Sequence, residues 1–400
     1  MTRSRTQTAD GEMSRPALEL ADIIRRHGPD SGACHRGQRR ILNAILRCRT
    51  SDLGGHRDRC SQATCPHRAF SYNSCRNRHC PKCQTGTRNR WVAERTGELL
   101  PTRYVHVVFT VPEPIARLAY QNKRVIYDLL FGASAATLQK VAGDPEHLGA
   151  EVGILSVLHT WTQTLRHHPH IHCVIPAGGL SPDHTRWIPA PARFFLPVNV
   201  LSAVFRGKLL SRLRRAFRRG ELRFFGDLKL LSDPKHFRAF LEPLRHIDWV
   251  VYSKRPFGGP QHVLHYLARY THRVAISNHR LVALSDGQVT FSWRDRKRDY
   301  ASRTMTLPAD EFLRRFLVHT LPRGFVRIRF FGFLAARKRG HLLPLCRHWL
   351  GGDRKPDREP PPVELQAWRC PQCGAPMSVV EQFTAAELRW LVNRRPPDSS

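Results

Sequence analysis

Apolar positions along this chain fall in short runs whose period changes from one segment to the next. Leu18, Leu20, Ile23 and Ile24 recur near helical spacing, so residues 1–50 read as a polar leader followed by a helix. Tyr104 to Val111 is a β-branched run closed by Pro112, which predicts a strand, and a helical stretch is expected over 114–142. Gly153 to Leu158 and Pro169 to Ile175 predict two more strands able to pair in one sheet, the second closed by the turn Ala177-Gly178-Gly179. Trp249 to Ser253 predicts another strand, and beyond the Pro256–Pro260 turn a helix is expected from Gln261 to Val274. Within Leu281 to Trp293, Asp286-Gly287 readily supplies the positive φ angles of a type I′ turn, so a hairpin is expected. Residues 181–245 hold Pro-rich loops and a basic helical piece, Val204 to Arg219, and read as an insertion or a DNA-facing element.

Residues 56–90 break this pattern. They are rich in Cys, His, Arg and Asn and too poor in aliphatic side chains to build a core, so metal has to stand in for one. Cys60, Cys65, Cys75, Cys80 and Cys83 lie within this stretch, with His56, His67 and His79 between them. Tetrahedral zinc takes four deprotonated S or N ligands, and a Cys-x2-Cys turn presents two of them to one ion. Cys80 and Cys83 are the strongest pair; Cys60 and Cys65 complete the expected site, with Cys75 an alternative ligand or part of a second site with His79. A second Cys-x2-Cys run, Cys370 to Cys373, is half of a further zinc motif, for which Cys346 and His348 are candidate partners.

Charge decides the partner. Lysine and arginine number 65 against 32 acidic residues, a formal net charge of +33, which suits a polyanion. Nucleic acid is the expected one, because neutralising phosphates releases condensed counterions. No run approaches the roughly 20 apolar residues that span a bilayer, so no membrane partner is expected. The N-terminal residues show no apolar run after their basic positions, so the expected location is the bacterial cytoplasm, at the nucleoid. Eleven cysteines in a reducing compartment favour metal over disulfides.

Two motifs carry the chemistry. In His170-Ile171-His172 strand alternation puts both imidazoles on one face, where they can grip a divalent ion. Tyr266 and Tyr270 are four apart on the expected helix and present both phenols to one site, with His262 on the same stripe. Taken singly, either motif also fits ordinary packing; together they describe a tyrosine that attacks a DNA phosphodiester polarised by a cation. Gln163, His262 and His265 are candidates for a third ligand. Arg269 and Arg273 either hold flanking phosphates and stabilise phenoxide or form a solvated basic face.

The stretches Tyr72 to Gln84, His168 to Cys173 and Tyr266 to Ser277 resemble the insertion sequence ninety-one family of rolling-circle transposases, in the same order along the chain. The resemblance implies an α+β fold: an N-terminal zinc-binding module, then an HUH-type domain (two histidines flanking a hydrophobic residue) with a central antiparallel sheet flanked by helices. It implies His170 and His172 as metal ligands, Tyr266 and Tyr270 as nucleophiles, Cys60, Cys65, Cys80 and Cys83 as zinc ligands, and magnesium or manganese for catalysis. The expected activity is nicking and rejoining of single-stranded DNA at element ends and target sites through a 5′-phosphotyrosine. The expected domains are a helical leader (1–50), a zinc-binding domain (51–100), a catalytic domain (101–335) and a basic tail (336–400) with a Cys-x2-Cys metal site. A plasmid replication initiator or relaxase would share this chemistry, and a non-catalytic zinc protein that binds nucleic acid is the reading from another class.

Overall fold

In the computed structural model of the protein, residues 17–28, 34–83, 91, 94–191, 195–257, 275–295, 298–351 and 369–393 are described. The chain begins with α1 (Leu20–His27) and α2 (Arg36–Leu46), then the strands β1 (Gly55–Cys60) and β2 (Arg68–Tyr72). Next come β3 (Tyr104–Thr110), α3 (Glu113–Gln121), α4 (Lys123–Gly143), β4 (Ile154–Trp161) and β5 (His167–Pro176). The short β6 (Gly178–Leu180) and β7 (Trp187–Pro189) lead to α5 (Val198–Arg218), α6 (Pro234–Leu241), α7 (Pro243–His246) and β8 (Val251–Phe257). The last part holds β9 (Leu281–Ser285), β10 (Gln288–Asp295), β11 (Ala301–Pro308), α8 (Ala309–Leu317), β12 (Ile328–Phe331), α9 (Ala336–Trp349), β13 (Met377–Phe383) and α10 (Ala385–Asn393).

The fold is α+β, and its frame is a five-stranded sheet in the order β12-β4-β5-β3-β8, antiparallel at every pairing. Its central strands read as nearly continuous apolar runs because both faces are covered. On one face Val105, Val107, Phe109, Ile171, Cys173 and Ile175 meet α3, α4 and α5. On the other, a smaller cluster of Tyr104, Leu155 and Val174 lies beside the histidines. Residues 181–245, expected as an insertion, contribute to the main core: α5 sends Leu201, Phe205, Leu209 and Leu213 into it. The 336–400 segment likewise is more than a basic tail, since α9 buries Leu342, Leu343 and Cys346.

The helical stretch expected over 114–142 is two helices with a break at Asn122. Its side chain takes the place of helix continuity: Nδ2 donates to the carbonyls of Leu118 and Arg223 at 3.2 and 2.8 Å, and Oδ1 accepts the Arg223 amide at 2.7 Å. The expected β9–β10 hairpin forms, with Asp286 and Gly287 at φ 50° and 70°. A second core lies against this hairpin, where Leu20, Ile23, Ile24, Ile41 and Ile45 of the N-terminal helices pack with Val289, Phe291, Phe312 and Phe316. Asn278 Oδ1 accepts the Leu20 amide at 3.2 Å and ties the two ends of that layer. No helix among the described residues is long and apolar enough to cross a membrane.

Two histidines lie apart from the cluster of His159, His170 and His172: His319 is buried and His167 partly buried. His319 Nε2 meets the Leu165 carbonyl at 3.1 Å and its Nδ1 meets Thr160 Oγ1 at 3.2 Å; burial pushes its pKa down to about 3. His167, bonded to the Tyr127 hydroxyl at 2.9 Å, is lowered by burial to about 4. Both rings are therefore neutral when folded but titrate near 6.5 when unfolded. Below that value the unfolded chain binds more protons, so stability falls as pH drops from about 6.5 toward about 4. Thermal melting should show Tm falling by several degrees between about pH 7 and pH 5.5, with a shallower slope in His319→Asn; a Tm that is flat or rises toward acid contradicts it.

Candidate metal centres

The β4–β5 hairpin fixes where the histidines point. Its register sets His159 opposite His170 and Val157 opposite His172. His170 and His172 rise from one face, while Ile171 turns into the helix-covered core. His159 rises beside them from β4. One nitrogen of each of His159, His170 and His172 lies within 4.8 Å of the other two, near enough for one ion to draw all three to bonds of about 2.1 Å. Ring centroids are 4.2 Å apart for His159 and His172 and 4.9 Å for His170 and His172. Three imidazoles fit a divalent cation. Because all three donors are neutral, they leave its charge to attract an anionic ligand.

The hydrogen bonds select which nitrogen each ring offers. His170 Nδ1 lies 2.7 Å from the His168 carbonyl, which can only accept, so Nδ1 carries the proton and Nε2 presents a lone pair. His172 Nδ1 lies 2.8 Å from Nε2 of His106 on β3, and the two rings stack at 13°. With Nδ1 engaged, Nε2 is the nitrogen His172 offers to an ion. His106 is only 1% exposed, so its place in the sheet holds the His172 ring still. His159 stacks on Trp161, with centroids 4.7 Å apart.

Gln163, a sequence candidate for third ligand, lies exposed in the turn beyond β4, where its carbonyl accepts from Arg280, and the side chain grouped with His170 and His172 is that of His159. His262, His265, Tyr266, Arg269, Tyr270 and Arg273 lie outside the described residues. The described chain ends at Phe257, paired with Tyr104 on β3, and resumes at the buried Ala275.

The cysteines group differently from their order in sequence. The expected set Cys60, Cys65, Cys80 and Cys83 is corrected: the structure divides it between two clusters. Cys80 and Cys83 join Cys48 and Cys75, whereas Cys60 and Cys65 join Cys370 and Cys373. The reason is strand pairing, because β1 runs antiparallel to β13 and carries Cys60 to Met377, next to the Cys370–Cys373 turn. Cys48, just past α2, reaches Cys83 at 3.3 Å, and Cys75 reaches Cys83 at 3.5 Å. These separations are near the roughly 3.8 Å between sulfurs bound tetrahedrally to one zinc and far from the roughly 2 Å of a disulfide. The Cys75 and Cys80 thiols are pushed up and Cys83 drawn down by sulfur neighbours, Cys48 foremost, as expected where four thiols compete for charge. Both sets fit structural zinc by donor type and spacing.

His79 is not in either set: it is buried, and its Nε2 accepts the Leu321 amide at 3.4 Å. Cys346, one of the candidate partners for the Cys370–Cys373 pair, is buried on α9 among Leu342 and Leu343. Sequence reasoning missed Cys48, His159 and His106. Cys48 stands alone, 12 positions before Cys60, and gives no spacing signal. His159 was one residue past the end assigned to its strand, and pairing that strand with His170-Ile171-His172 would have placed it.

A family model described as "Transposase zinc-binding domain" matches residues 21–111, and one described as "Putative transposase" matches 153–341. "Putative transposase y4qJ" of Sinorhizobium fredii is 53% identical over 359 residues, covering 89% of this chain and 88% of that protein. "Transposase for insertion sequence element IS801" of Pseudomonas savastanoi pv. phaseolicola is 31% identical over 321 residues, covering 76% and 72%. A cysteine-rich module ahead of a sheet-borne histidine cluster, matched over most of its length by transposases, places this chain in the insertion sequence ninety-one family of transposases.

Proposed function

We propose that this transposase works on single-stranded DNA by a rolling-circle route, with His159, His170 and His172 holding the catalytic ion and Tyr266 and Tyr270 as nucleophiles. The observation that carries the reading is the convergence of three imidazoles from paired strands. A bound Mg²⁺ or Mn²⁺ would act as Lewis acid on the scissile phosphate. The tyrosine Oη attacks phosphorus as the bond to the 3′ oxygen breaks; the phenol gives up its proton and the departing 3′ oxygen takes one up. The product is a 5′-phosphotyrosine and a 3′ hydroxyl, and because one phosphoester replaces another the step is reversible, which allows rejoining to a new strand. Two tyrosines permit two transfers in succession. Arg269 and Arg273, on the same segment, are suited to holding flanking phosphates. The +33 charge supplies the sequence-independent part of DNA affinity.

His106 acts here as a positioning residue. In the tautomer that binds an ion, His172 Nδ1–H donates to His106 Nε2, 2.8 Å away, and this contact holds the ring plane. Mn²⁺ binding followed by electron paramagnetic resonance should weaken at least 10-fold in His159→Ala. In His106→Phe, which keeps the ring but not the acceptor, it should weaken by about 10- to 100-fold. Unchanged Mn²⁺ affinity in His159→Ala removes that residue from the site.

Strand cleavage has its own test. Incubation with single-stranded element-end DNA and Mn²⁺ should give a covalent adduct at the 5′ phosphate, lost in the Tyr266→Phe, Tyr270→Phe double variant. The His170→Ala, His172→Ala double variant should slow its formation by on the order of 10²-fold or more. Absence of adduct with every divalent ion tried would overturn the mechanism.

A further inference from the structure

The Cys370-Pro-Gln-Cys373 turn lies beyond both regions that the family models cover, 21–111 and 153–341. We infer that Cys60, Cys65, Cys370 and Cys373 form a second, chain-spanning zinc site whose role is to clasp the C-terminal segment 369–393 onto the N-terminal module, making that segment a structural part of it.

Geometry supports the site. Cys60 Sγ lies 3.3 Å from Cys373 Sγ and Cys65 Sγ lies 3.7 Å from Cys370 Sγ, and all four sulfurs lie within 4.8 Å of one another. That is one tetrahedral group rather than two separate pairs. The turn that brings Cys370 and Cys373 together is closed by its own backbone: the Gly374 amide donates to the Cys370 carbonyl at 2.8 Å, the Cys370 amide donates to the Ala375 carbonyl at 2.8 Å, and Gly374 takes φ 73°. The facing side is equally specific. The Ser61 amide donates to the Pro376 carbonyl at 2.9 Å, and β13 then runs antiparallel to β1 from Cys60↔Met377 to Gly55↔Phe383. At Gly54, φ 73°, an added Cβ would stand 2.2 Å from the Phe383 carbonyl oxygen, so the N-terminal module lacks a side chain where the C-terminal strand comes closest.

Apart from the sulfurs, few buried contacts hold this segment. Along β13 only Met377 is buried, while Ser378 to Gln382 are exposed. The cluster around it is Cys60, Cys370 and Met377, with Cys65, Ala69 and Ala375 at its margin. Phe383 meets the Phe70 ring and the Arg57 guanidinium, and the Arg57–Glu381 ion pair is roughly half exposed at both ends. A four-thiolate zinc site contributes folding free energy directly and adds to these contacts. Binding exchanges thiol protons for Zn²⁺ and needs no oxidant.

This inference stands apart from strand cleavage and is tested without it. In the full-length protein, a thiol-blocking mercurial should release two zinc ions per chain, and one in the Cys370→Ser, Cys373→Ser variant. Limited trypsin digestion should then remove the C-terminal segment at least 10-fold faster than in the unaltered protein. Cys60→Ser with Cys65→Ser, some 300 residues away in sequence, should expose the same segment. A single thiolate-held zinc in the unaltered chain, which needs no variant to fold, overturns the proposal. So do two disulfides found by mass, or a C-terminal segment equally protected in the variants.

Discussion

The register between β4 and β5 is the constraint on which the site depends. Because side chains alternate along a strand, a slip of one residue would turn His170 and His172 into the helix-covered core and bring Ile171 out. The slip is opposed from both sides. Ile171, Cys173 and Ile175 are fully buried against α3, α4 and α5, and β3 is registered on the opposite edge of β5 by Thr110↔His170 and Val108↔His172. The same packing that stabilises the sheet therefore aims the imidazoles, and the apolar side of each strand does the positioning for the polar side.

Much of this frame was legible in the sequence. The strands now called β3, β4 and β5 and the β9–β10 hairpin follow from alternation, β-branching and turn residues, and all begin or end within a few positions of where the pattern puts them. What was not legible depends on pairing across long separations. His159 needed the β4–β5 register, His106 needed β3 as the neighbour of β5, and the division of the cysteines needed β1 to find β13. Local spacing ranks Cys80 with Cys83 and Cys370 with Cys373 correctly as pairs, because each pair is a single turn. It carries no information about which pair shares an ion with which. Asn122 is a local exception: a polar side chain whose hydrogen bonds to Leu118 and Arg223 break a helix that periodicity alone would continue.

Histidine serves three distinct ends in this one molecule, separated by what surrounds the ring. On the histidine-bearing face of the sheet, a hydrogen bond at one ring nitrogen of His170 and of His172 leaves the other nitrogen turned toward the neighbouring rings. Behind the sheet, His167 and His319 are kept neutral by burial and act as compact polar struts for the β4–β5 turn. His79, one residue from a cluster thiol, accepts a backbone amide instead of joining the cluster. Residue type alone would have grouped all of them as metal ligands.

The N-terminal helices bury Leu20, Ile23, Ile24, Ile41 and Ile45 against residues from Ala275 onward, with Leu20 held by Asn278. During synthesis on the ribosome these apolar side chains emerge well before the surface that covers them exists. At roughly 5–20 residues per second, the gap of some 250 residues lasts for about ten seconds or more. A gene copy cut short before that point would yield a polypeptide with a permanently uncovered apolar layer, which makes such fragments natural targets for chaperones and proteases.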